Sequence, residues 1–465
     1  MRCTFAPKAL PTSRFISPES SALRDSGQTV KTRHGALATW LARLLYIALF
    51  TLLLPLLLLR LLWRSIKAPA YRQRIVERFG LAASKIKPGG IWIHAVSVGE
   101  VVAAIPVILA LRERYPSLSL TVTTTTPTGS AQLQQSLQKH SVSDIAHSYM
   151  PYDWPLFVLL FLSRVKPKML VVMETELWPV TLWLCERSGI KTVLANARLS
   201  EKSARGYQRV SALSEPMLRS LWVATQYDSD ADRFLSLGLP ATQLQCTGSI
   251  KFDLAISPAL REQADIYSKQ LQQAGARFIW IAASTHKGED ELMLAAHRNL
   301  TQQHPGSVLI LVPRHPERFD DVAQQVVDSG FALQRVSDAT ADLSGEVVLL
   351  DTMGQLLGFY GCADMAFVGG SLIASGGHNP IEPAAWGVPV LMGPHDFNFA
   401  EVAQRLRDAG GLTMVDSPHS LAEQLLAGAA DADFLQRSGK AALQVVEENR
   451  GALEKLLTFI AEATD

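Results

Sequence analysis

Cysteine is scarce in this chain, with 4 residues among 465, and the four lie far apart in the sequence. Such a distribution forms neither a disulfide framework nor a Cys-based metal spacing, which favours a reducing compartment. Net charge is also low, because 44 Lys and Arg nearly balance 43 Asp and Glu and leave +1 at pH 7. A chain this close to neutral lacks the basic surface that nucleic-acid binding requires, so nucleic acid is excluded as a partner.

Motifs of metal and hydrolase chemistry are missing as well. The sequence contains neither His-Glu-x-x-His nor the Gly-x-Ser-x-Gly elbow of a hydrolase nucleophile. Asp228 and Asp230 superficially match an acidic metal–diphosphate pair, but they precede a helical pattern, where acids stabilise the first turn. His286, His315 and His378 all lie near predicted strand ends, yet their wide separation gives no metal-ligand spacing. We therefore predict no metal site.

One long apolar run is present near the N-terminus. Leu44–Leu59 carries no charge and is bracketed by Arg43 and Arg60. Taken over residues 35–66, this segment is predicted to be a membrane anchor, either a single span or a deeply seated interfacial helix. Basic residues after the run place the rest of the chain on the cytoplasmic side. Residues 1–34 are rich in Ser, Thr and Pro, lack periodicity and are predicted to be a disordered extension.

From residue 91 onwards, apolar strands alternate with helical stretches, which predicts parallel, doubly wound sheets. The predicted strands of the first series are Ile91–Val96, Leu118–Thr124, Met169–Met173, Thr192–Ala195 and Leu221–Ala224. Those of the second series are Phe278–Ala283, Val308–Val312, Val347–Leu350, Met365–Val368 and Val388–Leu391. We predict two Rossmann-like domains, over residues 67–250 and 276–465, joined by a hinge over residues 251–275. Ligands of such sheets bind at the carboxyl ends of the strands, so the cleft between the domains is the expected site.

Charged residues follow several strands of the first domain. Ser97 and Glu100 have the spacing of a capping box, in which Glu100 would satisfy backbone N–H groups. Glu100 could equally act as a general base that takes a proton from a hydroxyl in the cleft, and the sequence supports both interpretations. Glu174 follows another strand, and Lys251 lies where the domains join, within reach of a phosphate or carboxylate.

The second domain combines a glycine-rich loop with a predicted helix start. The loop Gly369–Pro383 leads from a strand to Asn379, which we predict as a helix N-cap, with Pro380 at the first helical position. Glycine lets a ligand approach the backbone, and a helix N-terminus suits a bound phosphate. Glu382 could hold a sugar or ribose hydroxyl, and Arg314, after another strand, has the fork geometry that phosphate recognition favours.

Together these motifs resemble the 3-deoxy-D-manno-octulosonic acid (Kdo) transferases of Gram-negative lipid A biosynthesis. The matching stretches are His94–Glu100, Thr125–Gly129, Met173–Pro179, Asn196–Ser200, Gly248–Asp253, Ser284–His286, Val312–Phe319, Asp351–Gly354, Gly369–Glu382 and Leu391–His395. The resemblance extends from about residue 40 to the C-terminus. It implies a GT-B glycosyltransferase, with two Rossmann-like domains facing across a cleft, attached to the inner membrane by its N-terminal helix.

The resemblance further implies inverting transfer of Kdo from CMP-Kdo to the tetraacyl lipid A precursor, lipid IVA, during lipopolysaccharide biosynthesis, with no metal or other cofactor. It makes Glu100 the proton acceptor and assigns Glu174 and Lys251 to transition-state stabilisation. The implied CMP-binding positions are Pro313, Arg314, Met353, Gly354, Gln355, Asn379, Pro380, Ile381 and Glu382. The family often has an acid where this chain has Gln355, so that contact would run through the backbone.

Two other activities are compatible with the same organisation. One is a membrane-associated GT-B glycosyltransferase that uses a UDP-sugar, and the other is a nucleotide-sugar epimerase on the same fold. The membrane segment and the basic residues beside it disfavour the epimerase. A pure binding role would leave the strand-end acids unexplained.

Overall fold

The computed structural model describes residues 35–81, 86–338 and 343–463. The extension predicted over residues 1–34 lies outside these described residues. Within them the chain forms two parallel sheets of seven strands each. The strands of the first sheet are β1 Ile91–His94, β2 Leu120–Thr124, β3 Ala146–Tyr149, β4 Met169–Met173, β5 Lys191–Ala197, β6 Leu221–Thr225 and β7 Leu244–Cys246. Those of the second are β8 Phe278–Thr285, β9 Ser307–Pro313, β10 Leu333–Arg335, β11 Val347–Leu349, β12 Met365–Val368, β13 Val390–Met392 and β14 Leu412–Met414.

Helices follow most strands and cover both sheets. In the first half of the chain they are α1 Ala36–Lys67, α2 Val98–Arg114, α3 Pro127–Lys139, α4 Pro155–Val165, α5 Pro179–Arg187, α6 Glu201–Arg209, α7 Ser211–Arg219 and α8 Asp228–Ser236. In the second half they are α9 Pro258–Gln273, α10 Asp290–Gln303, α11 Phe319–Asp328, α12 Leu356–Tyr360, α13 Ile381–Ala385, α14 Ala400–Asp408, α15 Pro418–Ala430, α16 Ala432–Glu448 and α17 Ala452–Glu462. Successive residues of β1 enter different cores, with Trp92 on one face and Ile93 on the other, so the sheet is buried on both sides.

The spatial order of the strands is β3-β2-β1-β4-β5-β6-β7 in the first sheet and β10-β11-β9-β8-β12-β13-β14 in the second. The predicted α/β fold with two doubly wound domains is therefore confirmed. The apolar runs of the sequence predict the ten inner strands but not the edge strands of the two sheets, which are β3, β7, β10 and β14. An edge strand is short and only partly buried, so its sequence lacks the continuous apolar run that marks an inner strand.

Helix α1 is long and apolar. Residues Ala36–Ile66 have the length and composition needed to cross a membrane. The helix also contacts the first domain, because the Tyr46 hydroxyl donates to Asp153 at 3.0 Å and the Trp154 indole N–H donates to the Thr51 hydroxyl at 2.9 Å. One face of α1 thus packs on the domain, while leucines on its other face are exposed.

The last helix, α17, returns to the first domain. Leu456, Phe459 and Ile460 are buried in the same core as strand β1. Asp253, in the connection between the domains, accepts hydrogen bonds from the N–H groups of Gly451 at 2.5 Å and Leu453 at 2.6 Å and so caps α17. The predicted second domain, residues 276–465, includes these residues, whereas α17 packs against the first sheet. The chain therefore crosses between the domains twice.

Candidate active site

The strand order fixes where a ligand can bind. In the first sheet the order reverses between β1 and β4, and in the second between β8 and β12. Crevices form at such reversals, at the carboxyl ends of the strands. Glu100 follows β1 and Glu174 follows β4, while His286 follows β8 and the loop 369–378 follows β12. The loops at the β1/β4 reversal thus form the wall that the first domain contributes to the cleft. The loops at the β8/β12 reversal form the opposite wall.

A cavity of about 840 Å³ occupies this cleft and is lined by both domains; we call it the cleft cavity. Six of the predicted site residues line it, namely Glu100, Glu174, Lys251, Arg314, Asn379 and Glu382. The other six do not, namely Pro313, Met353, Gly354, Gln355, Pro380 and Ile381. The structure therefore brings together the charged residues of the prediction and leaves most of its uncharged positions outside the cavity.

Glu100 and Ser97 form the predicted capping box at the start of α2. The Ser97 hydroxyl and N–H donate to Glu100 Oε1 at 2.8 and 3.2 Å, and the Val96 N–H donates to Oε2 at 2.9 Å. Burial raises the pKa of Glu100, these hydrogen bonds lower it, and the charge of Glu174 raises it. A carboxylate offers about four lone-pair positions. Three of these positions are occupied by hydrogen-bond donors, so about one lone pair of the Glu100 carboxylate remains to accept a proton.

Glu174 and Glu176 add two carboxylates on the same side. Glu174 has a φ of +56°, a left-handed conformation that is unusual for a residue with a side chain, and its N–H donates to the Ala195 carbonyl at 2.9 Å. Burial, followed by the charges of Glu100 and Glu174, raises the pKa of Glu176 to about 7. Glu176 is not among the predicted site residues, and its sequence signal is weak, since it is a second acid three residues beyond the end of β4.

Lys251 faces these carboxylates from the connection between the domains. Its ammonium group lies 4.9 Å from the centroid of the Phe399 ring, which belongs to the second domain. Burial lowers the pKa of Lys251, while the nearby charge of Glu174 raises it. The lysine thus contacts one domain and is electrostatically coupled to the other.

On the second domain, Pro313 ends β9 and Arg314 follows it as an exposed side chain at the cavity. Among the described residues, no carboxylate lies within ion-pair distance of its guanidinium group. Burial raises the pKa of Glu382, while a hydrogen bond from Asn379 and the positive charge of Arg314 lower it. The two charges therefore interact, although they form no ion pair. Arg314 is thus a cation at the cavity without a carboxylate to neutralise it.

The start of α13 differs slightly from the prediction. Asn379 does cap the turn, since its Oδ1 accepts from the Ile381 N–H at 3.1 Å and its Nδ2 donates to Glu382 at 3.2 Å. The helix begins at Ile381, one residue later than predicted, and has five residues, so the partial charge at its N-terminus is small. Pro380 precedes it, and Ile381 points into the core.

The turn 353–355 lies outside the cavity. Met353 is 67% exposed, and Gly354 has a φ of +85° that favours glycine at this turn. Gln355 accepts a hydrogen bond from the Tyr267 hydroxyl at 3.0 Å, so its side chain already has a partner within the protein. The next residue, Leu356, does line the cavity.

The glycine-rich loop is held by a carboxylate that sequence analysis missed. Buried Glu289 accepts hydrogen bonds from the N–H groups of Gly370 at 2.7 Å, Ser371 at 3.1 Å and Leu372 at 3.0 Å. These three N–H groups therefore already have a partner within the protein, so the anion-binding potential of the loop is confined to its later part, near Asn379. Glu289 lies more than 80 residues from the loop, and no local pattern indicates the contact.

Three histidines that are distant in sequence meet beside the cavity. The Nε2 atoms of His286 and His378 are 2.8 Å apart, their rings stack with centroids 5.1 Å apart, and His315 packs edge-on against His286 at 5.4 Å. Burial, followed by the charges of His286 and Arg314, lowers the pKa of His378 to about 4. His378 is thus neutral near pH 7. Within the described ranges, no three His, Cys, Asp or Glu side chains are arranged to hold a metal ion.

Two doubly wound, Rossmann-like domains that face each other across a cleft define the GT-B fold. Comparison with a solved structure agrees: the UDP-GlcNAc 2-epimerase from Neisseria meningitidis superimposes with a TM-score of 0.55, covering 80% of this chain and 100% of that one. At 14% identity, this likeness shows the fold alone.

Sequence comparisons identify the family. A family model described as 3-deoxy-D-manno-octulosonic-acid transferase (kdotransferase) matches residues 73–254. The 3-deoxy-D-manno-octulosonic acid transferase of Haemophilus influenzae is 40% identical over 90% of this chain and 98% of its own length. That of Bordetella pertussis is 33% identical over 83% of this chain and 90% of its own. The chain belongs to the Kdo transferase family and is a glycosyltransferase, which confirms the resemblance found in the sequence.

Proposed function

We propose that this enzyme transfers Kdo from CMP-Kdo to a hydroxyl of lipid IVA with inversion, and that Glu100 is the general base. The observation that carries the proposal is the pairing of two groups across the cleft cavity. On one wall, buried Glu100 keeps one proton-accepting position; on the other, Arg314 has no carboxylate partner within the described chain.

The donor would bind to the second domain. Arg314 would neutralise the phosphate of CMP-Kdo and so make CMP a better leaving group. Asn379 and Glu382, which line the same wall, would contact the nucleotide. The remaining CMP-binding positions that we propose do not line the cavity but lie within three residues of lining positions in the sequence, namely Pro313, Met353, Gly354, Gln355, Pro380 and Ile381.

The acceptor would bind to the first domain. Glu100 takes the proton of the attacking hydroxyl while the oxygen forms its bond to the anomeric carbon of Kdo. The bond from that carbon to the phosphate breaks, and CMP leaves with the electron pair. Attack opposite the leaving group inverts the anomeric centre. Lys251 and Glu174 balance charge in the transition state.

The membrane would supply the acceptor lipid. Helix α1 and the basic residues that follow it would hold the first domain at the cytoplasmic face of the inner membrane. Leucines such as Leu52, which is 74% exposed, form the apolar outer face of α1 that would enter the lipid. The acceptor-binding wall belongs to the domain on which α1 packs.

The test is Glu100→Gln, because glutamine also suits a capping box and so removes the base while keeping the helix start. We expect transfer to fall by about 100-fold or more, with CMP affinity unchanged. Release of CMP and mass spectrometry of the lipid product measure transfer, and calorimetry measures CMP binding. Glu113→Gln, an exposed change on the same helix, is the matched control. Transfer at the wild-type rate by Glu100→Gln would refute the assignment of the base.

A further inference from the structure

A second pocket of about 170 Å³ adjoins the cleft cavity; we call it the Arg198 pocket. It lies between the domains, with residues 198–251 on one side and residues 397–402 on the other. Lys251 and Phe399 line both spaces, so the two are adjacent. The volume is sufficient for a small anionic group with a few waters, since a water occupies about 30 Å³.

Arg198 supplies this pocket with a cation that has no carboxylate partner. It directly follows β5 and is half-buried. Among the described residues, none forms an ion pair or a hydrogen bond with its guanidinium group. A half-buried guanidinium with no partner leaves several strong donors unused, and its planar fork matches carboxylate and phosphate oxygens.

Hydrogen bonds hold the backbone around Arg198 to two neighbouring segments of the cleft, one that carries Glu174 and one that carries Lys251. The Thr175 hydroxyl, between Glu174 and Glu176, donates to the Arg198 carbonyl. Asn196, two residues earlier, accepts the Ile250 N–H at 3.2 Å and thereby ties this loop to the turn that carries Lys251. Arg198 is therefore positioned by the same two segments that carry the acids and the lysine of the cleft cavity.

The carboxylates of the pocket are already neutralised. Asp230 accepts the Leu199 N–H at 2.8 Å and pairs with Arg233 at 3.3 Å. Glu401 pairs with Arg405 at 3.3 Å. Asp230 and Glu174 still act on Arg198 and Lys251 through their charges, but among the described residues neither carboxylate forms an ion pair with them, so both cations keep donors for a ligand.

Ser249 adds an unused polar group to the same lining. Its side chain is 2% exposed, and its hydroxyl has no hydrogen-bond partner among the described residues. A buried hydroxyl without a partner is uncommon because it loses its hydrogen bonds to water. A bound group that accepts hydrogen bonds would satisfy it.

We propose that the Arg198 pocket binds an oxyanion of a substrate, either a carboxylate or a phosphate, through Arg198, Lys251 and Ser249. The inference rests on the proposed function, which offers two sources of this chemistry: the carboxylate of the Kdo donor and the phosphates of the acceptor lipid. Arg198 is then a specificity residue for the transferred sugar or for the lipid.

The experiment compares wild type with Arg198→Gln and Arg198→Lys, and uses Arg205→Gln, an exposed arginine on α6, as the matched control. Three quantities are measured: the affinity for CMP, the affinity for CMP-Kdo, and kcat/KM for the acceptor with and without its phosphates. Thermal unfolding of each variant reports whether it folds.

If the pocket holds the donor carboxylate, Arg198→Gln weakens CMP-Kdo binding by about tenfold or more and leaves CMP binding unchanged. If it holds an acceptor phosphate, kcat/KM falls by a similar factor for the phosphorylated acceptor alone. Arg198→Lys recovers part of either loss, because the charge remains without the fork. Arg205→Gln behaves as wild type.

Unchanged binding and kinetics in a folded Arg198→Gln variant would overturn the proposal. Weaker binding of CMP by this variant would also overturn it. So would an equal fall in kcat/KM for the phosphorylated and the dephosphorylated acceptor, if the affinity for CMP-Kdo were unchanged. The proposed function is tested by the wild type alone: if wild type releases no CMP with these substrates, that function fails. In that case the role of Arg198 is tested by comparing the affinities of wild type and Arg198→Gln for the phosphorylated and the dephosphorylated lipid.

Discussion

Three carboxylates crowd one corner of the first domain. Glu100 and Glu174 both contribute to the raised pKa of Glu176, and Glu174 contributes to that of Glu100. A base with a raised pKa accepts a proton more readily, provided that it is ionised at the working pH. The corner is thus suited to proton transfer, and its mutual repulsion makes it sensitive to pH.

We predict that Glu176 makes the stability of the folded protein depend on pH. The folded protein binds the Glu176 proton more tightly than the unfolded chain, because its pKa rises from 4.5 to about 7. The contribution of Glu176 to the free energy of unfolding is therefore fully present below pH 4.5, its pKa in the unfolded chain. It is lost as the pH rises through about 7, its pKa in the folded protein. Glu176→Gln should flatten the fall of Tm from roughly pH 5 to pH 8, measured by calorimetry against Glu113→Gln. Parallel Tm profiles of variant and wild type would contradict this.

Contacts between residues close in sequence were predictable, and contacts between distant residues were not. The capping box of Ser97 and Glu100 was readable because a helix start brings residues three apart together. His286 and His378 are 92 residues apart, and they meet because β8 and β12 are neighbours in the sheet. The contact of Glu289 with Gly370 depends on the same strand pairing, which no local pattern encodes.

Helix α1 has two faces with different surroundings. Its inner face is tied to the first domain through Tyr46 and Thr51, and its outer face exposes leucines along much of its length. An apolar helix in contact with a folded domain cannot leave that domain without losing these hydrogen bonds. The proposed membrane contact would therefore fix the orientation of the first domain as well as its location.

We predict that Leu52→Glu combined with Leu56→Glu reduces membrane binding. Both leucines are exposed, at 74% and 60%. Burying each in lipid is worth about 1.5–3 kcal/mol, and a carboxylate there carries an added cost, so partition should fall by about 100-fold. Flotation with vesicles of phosphatidylethanolamine and phosphatidylglycerol measures it. Val327→Glu, an equally apolar-to-acid change at an exposed site of the second domain, should float as wild type. Undiminished flotation of the double variant would exclude this face.

Elements were predictable in proportion to their burial. Inner strands such as β4 and β12 were found with their observed bounds, since every residue in them is buried. The edge strands were missed, and the helix after the glycine-rich loop starts one residue later than its cap and proline indicate. Boundaries of short elements depend on tertiary contacts, here the hydrogen bonds between Asn379, Ile381 and Glu382.

Across the whole molecule, the two domains are joined by two segments. One leads from the first domain into α9, and the other leads from α16 back to α17. Asp253 links them by capping α17, so the connections are in direct contact. The positions of the cleft walls therefore depend on residues at both ends of the second domain.

We predict that Phe459→Ala destabilises the first domain, although residue 459 lies near the C-terminus. Phe459 is 3% exposed and packs against Trp222 with ring centroids 5.6 Å apart. Removing such a ring costs about 3–5 kcal/mol and should lower Tm by about 10 °C. Calorimetry measures the shift, with tryptophan fluorescence as a second probe. Phe397→Ala, the same change at a 59% exposed position, should cost little. Equal Tm values for the two variants would contradict the packing of α17.

The return of α17 also sets the order in which the protein can be completed during translation. A ribosome finishes β1 to β7 long before it reaches residue 452, so the face that Leu456 and Phe459 cover stays exposed until α17 has been synthesised. Domains commonly fold as they emerge, N-terminal part first, and exposed apolar surface invites aggregation. Here one apolar face of the first domain is covered only after the second domain has been synthesised, and the proposed membrane contact of α1 would be available to the nascent chain throughout that interval.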